Sequence, residues 1–250
     1  MSHFLTLKTI LMNDLKVIGL ICCRGGSKGI PSKNIKEFCG KPLLGWTIEH
    51  AQKANIFDQI ILSTDSKDIA SVGEEYGVTV PGLRPSYLAT DESDVFDTHD
   101  YVFKQLNITD ESHVVCILTN NPFIDSKLIK RGYDIGYSKK FKIIALDSIE
   151  VGGDYMYFRQ LYNQNGVLKF HFSEDMKKSK INRQTYLPTF TTINNMRWGK
   201  PSFMINYEKY KDEIIHNGIL PISLPKTRNF DLDDQEDWLI AEAVFENLIR

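Results

Sequence analysis

Val17-Ile18-Gly19-Leu20-Ile21-Cys22 is an unbroken apolar run, and the chain passes at once into Cys23-Arg24-Gly25-Gly26-Ser27-Lys28-Gly29-Ile30-Pro31-Ser32-Lys33-Asn34. A short continuous apolar run suits a strand buried on both faces of a parallel sheet. The glycines behind it let the backbone turn tightly and bring its amides close to a ligand. Arg24, Lys28 and Lys33 put three cations within ten residues, and Ser27 adds a hydroxyl donor. Strand, glycine-rich turn and clustered cations together predict a phosphate-binding loop, with enough positive charge for a triphosphate. Known glycine loops fit poorly. The order Ser27-Lys28-Gly29 does not match G-x-x-x-x-G-K-[ST], and Gly25-Gly26 breaks G-x-G-x-x-G. A solvent-exposed basic turn is the plain alternative.

Outward from this stretch, the chain alternates. Residues 43–54 show helical spacing, with Leu44, Ile48 and Ala51 on one stripe. A strand is predicted over 59–63, then a helix opened by Asp65-Ser66 and closed at Gly77. A third short strand is read at Val78-Thr79-Val80, a helix over 94–106, and a strand over 113–118. Asp125-Ser126 caps another helix, and a fifth strand is read over 142–146. This alternation predicts an α/β fold with a mostly parallel, Rossmann-like sheet flanked by helices and right-handed crossovers. Ligands in such sheets bind at the carboxyl ends of the strands. The loops after Cys22, Ser63, Val80, Leu118 and Leu146 are therefore the ones to inspect.

After Gly152 the pattern changes. Aromatic residues 155–162, the turn Asn163-Gln164-Asn165-Gly166 and residues 167–172 read as an inserted β-hairpin. Its aromatic surface is read as a homodimer contact, with internal packing as the alternative. Two more strands are read at 202–205 and 219–222, and a last helix over 234–250 with Trp238, Ala241, Val244 and Phe245 facing inward. Residues 1–15 are read as a flexible extension and 16–250 as one domain, within which 153–200 forms the hairpin and an insertion on the substrate side.

The bulk numbers agree with one domain. The chain has 250 residues, 42% of them hydrophobic, enough for a single sizeable core. Its formal net charge of -2 lacks the basic excess of a nucleic-acid-binding surface. No apolar run approaches the ~20 residues needed to cross a bilayer. Residues 4–12 are mildly apolar but lack a basic flank and a cleavage site, so a signal peptide is not read there. Cys22, Cys23, Cys39 and Cys116 form no C-x-x-C pair and read as reduced thiols of a cytoplasmic protein. The six histidines show no H-x-x-x-H spacing, and Ser27 lacks the G-x-S-x-G context of a nucleophile.

Arg24 to Pro31, then Lys33-Asn34-Ile35 and Phe38-Cys39-Gly40-Lys41-Pro42-Leu43, closely resemble the N-terminal signature of the CMP-sialic acid synthetases. These are cytidylyltransferases acting on nonulosonic acids. The resemblance continues through Ser63-Thr64-Asp65, Leu83-Arg84-Pro85 and Leu88-Ala89-Thr90-Asp91. It returns weakly at Arg183-Gln184 and clearly at Asp231-Leu232-Asp233 with Asp237. It implies that Arg24, Gly25, Gly26, Ser27, Lys28 and Lys33 hold the phosphates of CTP, with Asn34 and Arg84 at the nucleoside. It also implies that Asp231 and Asp233 hold Mg²⁺, with Mn²⁺ as a substitute. Two carboxylates at i, i+2 in an extended segment do share a face, and oxygen ligands suit magnesium. The plain alternative is that Asp233 or Asp234 caps the last helix.

The implied reaction joins CTP to a nine-carbon sugar acid. The anomeric hydroxyl attacks the α-phosphate and pyrophosphate leaves. Arg24, Lys28, Lys33, Asp231 and Asp233 are the implied catalytic residues, working by positioning and charge neutralisation. The base is assigned to the Asp231–Asp233 pair or to solvent activated by the metal. On the sugar side the resemblance thins. The family pattern Leu-Gln-Pro-Thr-Ser-Pro-Leu-Arg is replaced by Ile117-Leu118-Thr119-Asn120-Asn121-Pro122-Phe123-Ile124, without the glutamine and the arginine. Asn120, Asn121, Arg183 and Gln184 are taken as substrate-binding residues, and Arg197 and Lys200 are further cations for a carboxylate. Alternatives are a nucleotidyltransferase for another 3-deoxy sugar acid, a catalytically silent nucleotide-binding homologue, and a glycosyltransferase with an Asp-x-Asp motif.

Overall fold

The computed structural model describes residues 16–140, 144–151, 161–165, 167–170, 173–178 and 189–249. The apolar run forms β1 (Lys16–Cys22), and the cation-rich loop follows it. A small antiparallel pair, β2 (Glu37–Phe38) and β3 (Lys41–Pro42), leads into α1 (Leu43–Ala54). Then come β4 (Gln59–Ser63) and α2 (Lys67–Glu75). Next are α3 (Val95–Leu106), β5 (Ser112–Ile117) and α4 (Ser126–Ser138). The hydroxyl or carboxylate of Ser66, Asp94 and Asp125 accepts a first-turn amide of α2, α3 and α4 respectively. Each such cap satisfies a backbone donor that the helix itself cannot.

The second half holds β6 (Ala145–Val151), β7 (Leu161–Gln164), β8 (Val167–Phe170) and α5 (Ser173–Lys178). It continues with β9 (Thr189–Gly199), α6 (Tyr207–Asn217), β10 (Leu220–Ser223) and α7 (Gln235–Ile249). The central sheet has the order β10-β6-β9-β5-β1-β4. β1 runs parallel to β4 and β5, and β10 parallel to β6. β9 alone is antiparallel, between β5 and β6. Side chains alternate across the sheet. Val17, Ile21, Leu62, Val115 and Ile117 pack toward α1, α2 and α4, whereas Ile18, Leu20, Ile61, Val114 and Cys116 pack toward α3.

Several readings need correction. Residues 202–205 are not a strand: a 3-10 turn spans Pro201–Phe203, started by the fixed φ of Pro201. Val78-Thr79-Val80 touches the sheet through one isolated bridge, Ile61 to Thr79, and forms no ladder. The strand read at 142–146 begins at Ala145 and runs to Val151, and residues 141–143 lie outside the described part. β9 and α6 were not read at all. The hairpin is present where described: β7 pairs antiparallel with β8, and residues 152–160 lie outside.

Candidate active site

A cleft of about 540 Å³ opens at the carboxyl ends of β1 and β5. Arg24, Ser27, Lys28, Lys33, Asn34, Arg84, Asn120 and Asp233 all line it. The loop after β1 is held in shape by buried polar contacts. The Asn34 amide group donates to the Arg24 carbonyl at 3.0 Å and its Oδ1 accepts the Thr119 hydroxyl at 2.5 Å. Gly25 donates its N–H to Asp65 Oδ1 at 3.0 Å, and Ser27 donates to the Gly25 carbonyl at 3.1 Å. Two of the loop amides expected at a ligand are thus already committed, one to Asp65 after β4 and one within the loop. Gly26 is exposed, and a Cβ there would meet nothing within 4 Å.

The loop cations face an anion that sequence reading passed over. Asp91 pairs with Arg24 at 2.8 Å and also with Lys28. Hydrogen bonds from these two hold its carboxyl below the usual range. Arg84 is buried, with Nη2 3.9 Å from Asp65, and its Nε finds no acceptor among the described residues. A buried donor without a partner is costly unless a ligand supplies one. Cys22 and Cys23 also line the cleft, but burial pushes their thiols up to about 11 and about 12. Neither is a thiolate at neutral pH, and the cleft offers no sulfur nucleophile.

The opposite wall comes from the far end of the chain. Trp238, Ala241 and Phe245 of α7 bury against Ile30, Phe38 and Leu43. Phe38 meets Trp238 and Phe245 edge to face at 5.2 and 5.1 Å, contacts worth about 0.5–1.5 kcal/mol each beyond their burial. This docking brings Asp231-Leu232-Asp233 beside the loop. Leu232 is fully buried; its N–H donates to the Asn120 carbonyl at 3.0 Å and its carbonyl accepts Lys33 Nζ at 2.5 Å. With Leu232 turned inward, Asp231 and Asp233 turn outward together. Burial lowers the Lys33 pKa, against the pull of Asp233 and Asp231. Burial and the Asp233 charge raise that of Asp231, whose side chain is hydrogen-bonded by Asn120.

The cap of α7 is a different carboxylate. Asp234 Oδ1 accepts the amides of Glu236 and Asp237 at 2.8 and 2.9 Å, while Asp237 Oδ2 accepts those of Asp233 and Asp234. This reciprocal box leaves the side chains of Asp231 and Asp233 outside the cap.

Asn121 does not reach the cleft. It is buried, its Oδ1 accepting the Phe123 amide at 3.0 Å and its Nδ2 donating to the Arg228 carbonyl at 3.0 Å, so its amide is spent on the turn into α4. Arg183 and Gln184 lie outside the described residues. Arg197 is buried over the rings of Phe96 and Tyr210 at 5.2 and 5.7 Å, away from the cleft lining. Thr119, Asp65 and Asp91 were missed as site residues. Asp65 and Asp91 stand inside stretches already singled out, Ser63-Thr64-Asp65 and Leu88-Ala89-Thr90-Asp91.

Comparison with known proteins identifies the family. The sequence pattern of the cytidylyltransferase family matches residues 18–213. The chain is 28% identical to the CMP-N,N'-diacetyllegionaminic acid synthase of Legionella pneumophila, over 93% of this chain and 97% of that protein. It is 33% identical to the pseudaminic acid cytidylyltransferase of Campylobacter jejuni, over 66% of this chain and 71% of the relative. It is 38% identical to the N-acylneuraminate cytidylyltransferase of Escherichia coli, over 92% of this chain and 52% of the relative. The fold is shared with a CMP:2-keto-3-deoxy-manno-octonic acid synthetase solved with CTP. There the TM-score is 0.69 at 12% identity, covering 93% of this chain and 99% of that one. With the family's sequence pattern running over most of its length, the chain belongs to the cytidylyltransferase family.

Proposed function

We propose that this protein transfers CMP from CTP to the anomeric hydroxyl of a nonulosonic acid and releases pyrophosphate. The observation that carries this reading is the convergence of Arg24, Ser27, Lys28, Lys33, Arg84 and Asp233, from distant parts of the chain, on one cleft. The named activities of the legionaminic, pseudaminic and N-acylneuraminate relatives support CTP and a nine-carbon acid as the substrates. The hydroxyl oxygen forms a bond to the α-phosphorus, the bridge to the β-phosphate breaks, and the hydroxyl proton passes to a base. Arg24, Lys28 and Lys33 neutralise phosphate charge, which is the main demand of such a transfer. The open Nε of Arg84 suits an acceptor on the nucleoside.

Asp231 and Asp233 are our candidates for holding Mg²⁺. Both are oxygen ligands spared by the helix cap. Among the described residues no group of three or more His, Cys, Asp or Glu is gathered. A magnesium ion, which keeps waters and takes phosphate oxygens, suits so small a carboxylate set. Bound there, it would add positive charge at the phosphates. We also propose a homodimer through the β7–β8 hairpin, where Leu161, Val167, Leu168 and Phe170 are exposed. A cytoplasmic location is likewise proposed. No helix among the described residues is long and apolar enough to cross a membrane.

The test is to incubate the protein with Mg²⁺, each of the four nucleoside triphosphates, and a panel of nonulosonic and octulosonic acids, following pyrophosphate. Release with CTP and a nonulosonic acid is expected. Silence with CTP and every acid would end the enzyme reading, and release only with octulosonic acids would move the substrate class.

A further inference from the structure

The pairing of β6 with β9 breaks in the middle of the sheet. Ala145 pairs with Trp198 and Leu146 with Arg197, and the register resumes only at Ser148 with Thr192. Asp147 alone therefore faces residues 193–196 of β9. Asn194 turns there through the left-handed region at φ 61°, which asparagine tolerates better than most residues. The Asp147 side chain is fully buried, and its two oxygens accept the N–H groups of Asn195 at 3.1 Å and Met196 at 3.0 Å. A bulge of this size would otherwise strand two amides in the core. Burial pushes the Asp147 carboxyl up to about 6, against the pull of these two amides, its own amide and Arg197. Arg197 and Tyr210 are the ionisable groups that act on it from the neighbouring elements.

The bulge does more than satisfy itself, because it aims Asn195 at both walls of the cleft. The Asn195 carbonyl accepts the Leu118 N–H at 2.8 Å, and Leu118 lines the cleft. The Asn195 side chain, also buried, donates to the Phe230 carbonyl at 3.2 Å, one residue before Asp231. The two walls then join directly through Leu232 N–H and the Asn120 carbonyl. We propose that Asp147 is a positioning residue: by pinning the bulge of β9 it fixes Asn195, and through it the spacing between the 118–120 wall and the Asp231–Asp233 carboxylates.

The consequence for catalysis rests on the cytidylyltransferase reading; the tether itself does not. Two variants and two readouts separate them. Amide exchange is followed at Leu118, Asn195, Met196 and Leu232, with α1 and α2 as internal references, in Asp147→Asn and Asn195→Ala. Asparagine retains one acceptor where aspartate had two, so Asp147→Asn weakens the clamp without emptying the space. Asn195→Ala leaves the clamp and removes only the arm to Phe230. We expect exchange at least tenfold faster at Leu118, Asn195 and Met196 in the first variant and at Leu232 in the second, with α1 and α2 unchanged. We also expect kcat for pyrophosphate release to fall tenfold or more in both; the KM for CTP is followed alongside, because Thr119 and Leu232 also hold the β1 loop through Asn34 and Lys33.

Unchanged exchange at these amides would overturn the proposal whatever turnover did. Faster exchange with unchanged kcat would overturn it too, because the tether would then position nothing that matters. Should Asp147→Asn fail to fold, Asn195→Ala decides alone on the same criteria. Absence of turnover in the unaltered protein would instead count against the functional reading, leaving the exchange arm to decide the tether.

Discussion

Gly29 lies against the backbone of Asp233, so close that a Cβ on Gly29 would run into the Asp233 carbonyl oxygen. This contact seats the phosphate-loop wall on the carboxylate wall, and only a residue without a side chain permits it. Gly29→Ala must push the two walls apart. We expect a fall of one hundredfold or so in kcat/KM, as for a displacement of about 1 Å in a reacting site, and a loss of about 1–3 kcal/mol of stability from overpacking. Steady-state kinetics and urea unfolding check both, and wild-type kinetics in the variant would show that the contact is dispensable.

Asp91 holds Arg24 and Lys28, two of the three cations we propose for the triphosphate. Any phosphate entering between Arg24 and Lys28 must compete with it. Asp91→Asn should therefore tighten CTP binding, by roughly two- to fivefold at low salt, with the gain shrinking as salt screens exposed charges. Titration of CTP at two ionic strengths measures this, and weaker binding by the variant would reverse the reading.

Asp233 and Asp234 are neighbours to which we assign different tasks: Asp234 caps α7, and Asp233 is our proposed metal ligand. Asp233→Ala should abolish magnesium-dependent turnover with the fold intact. Asp234→Ala removes the α7 cap and should cost about 1 kcal/mol of stability while retaining turnover. Pyrophosphate release and thermal unfolding of both variants separate the roles; the opposite pattern would make Asp233 the structural residue.

Asp147 imposes a pH dependence whose sign is fixed. Its folded pKa, about 6, lies above the ordinary carboxylate value, so the folded state binds the proton more tightly than the unfolded chain. Its penalty is absent at low pH and grows as pH rises from about 4 through about 6. Relative to Asp147→Asn, the wild type should lose about 2–4 kcal/mol between pH 4 and pH 7. Urea unfolding of both proteins across that range tests it, and a difference that stayed flat or rose with pH would refute the burial argument.

Much of the fold was legible because its first half obeys simple periodicities. β1 is apolar from Val17 to Cys22, α1 carries Leu44, Ile48 and Ala51 on one stripe, and Ser66, Asp94 and Asp125 stand where helices need caps. β9 was missed because Asn194-Asn195 reads as a turn, and locally it is one, inside a strand. α6 was missed because it buries little beyond Tyr210 and so has no clear apolar stripe. The loop after β1 stood out from composition, because glycines and cations are gathered there within ten residues. The partners that shape it were not. Thr119 and Asn34 are 85 positions apart, and Lys33 and Leu232 are 199 apart. Asn121 shows the reverse error, a residue with suitable chemistry that the fold had already consumed.

The place of β9 in the sheet also sets an order of assembly. β4, β1 and β5 can pair using nothing beyond Ile117. β6 cannot join them until residues 189–199 exist, because β9 stands between β5 and β6. A chain emerging from the ribosome would thus carry a finished three-stranded half while β6 waited for its partner. The closing of that gap is a late, long-range step, of the kind that slows folding. The Asp231–Asp233 segment follows later still, so the loop after β1 is made early and the carboxylate segment that packs beside it is among the last parts to arrive.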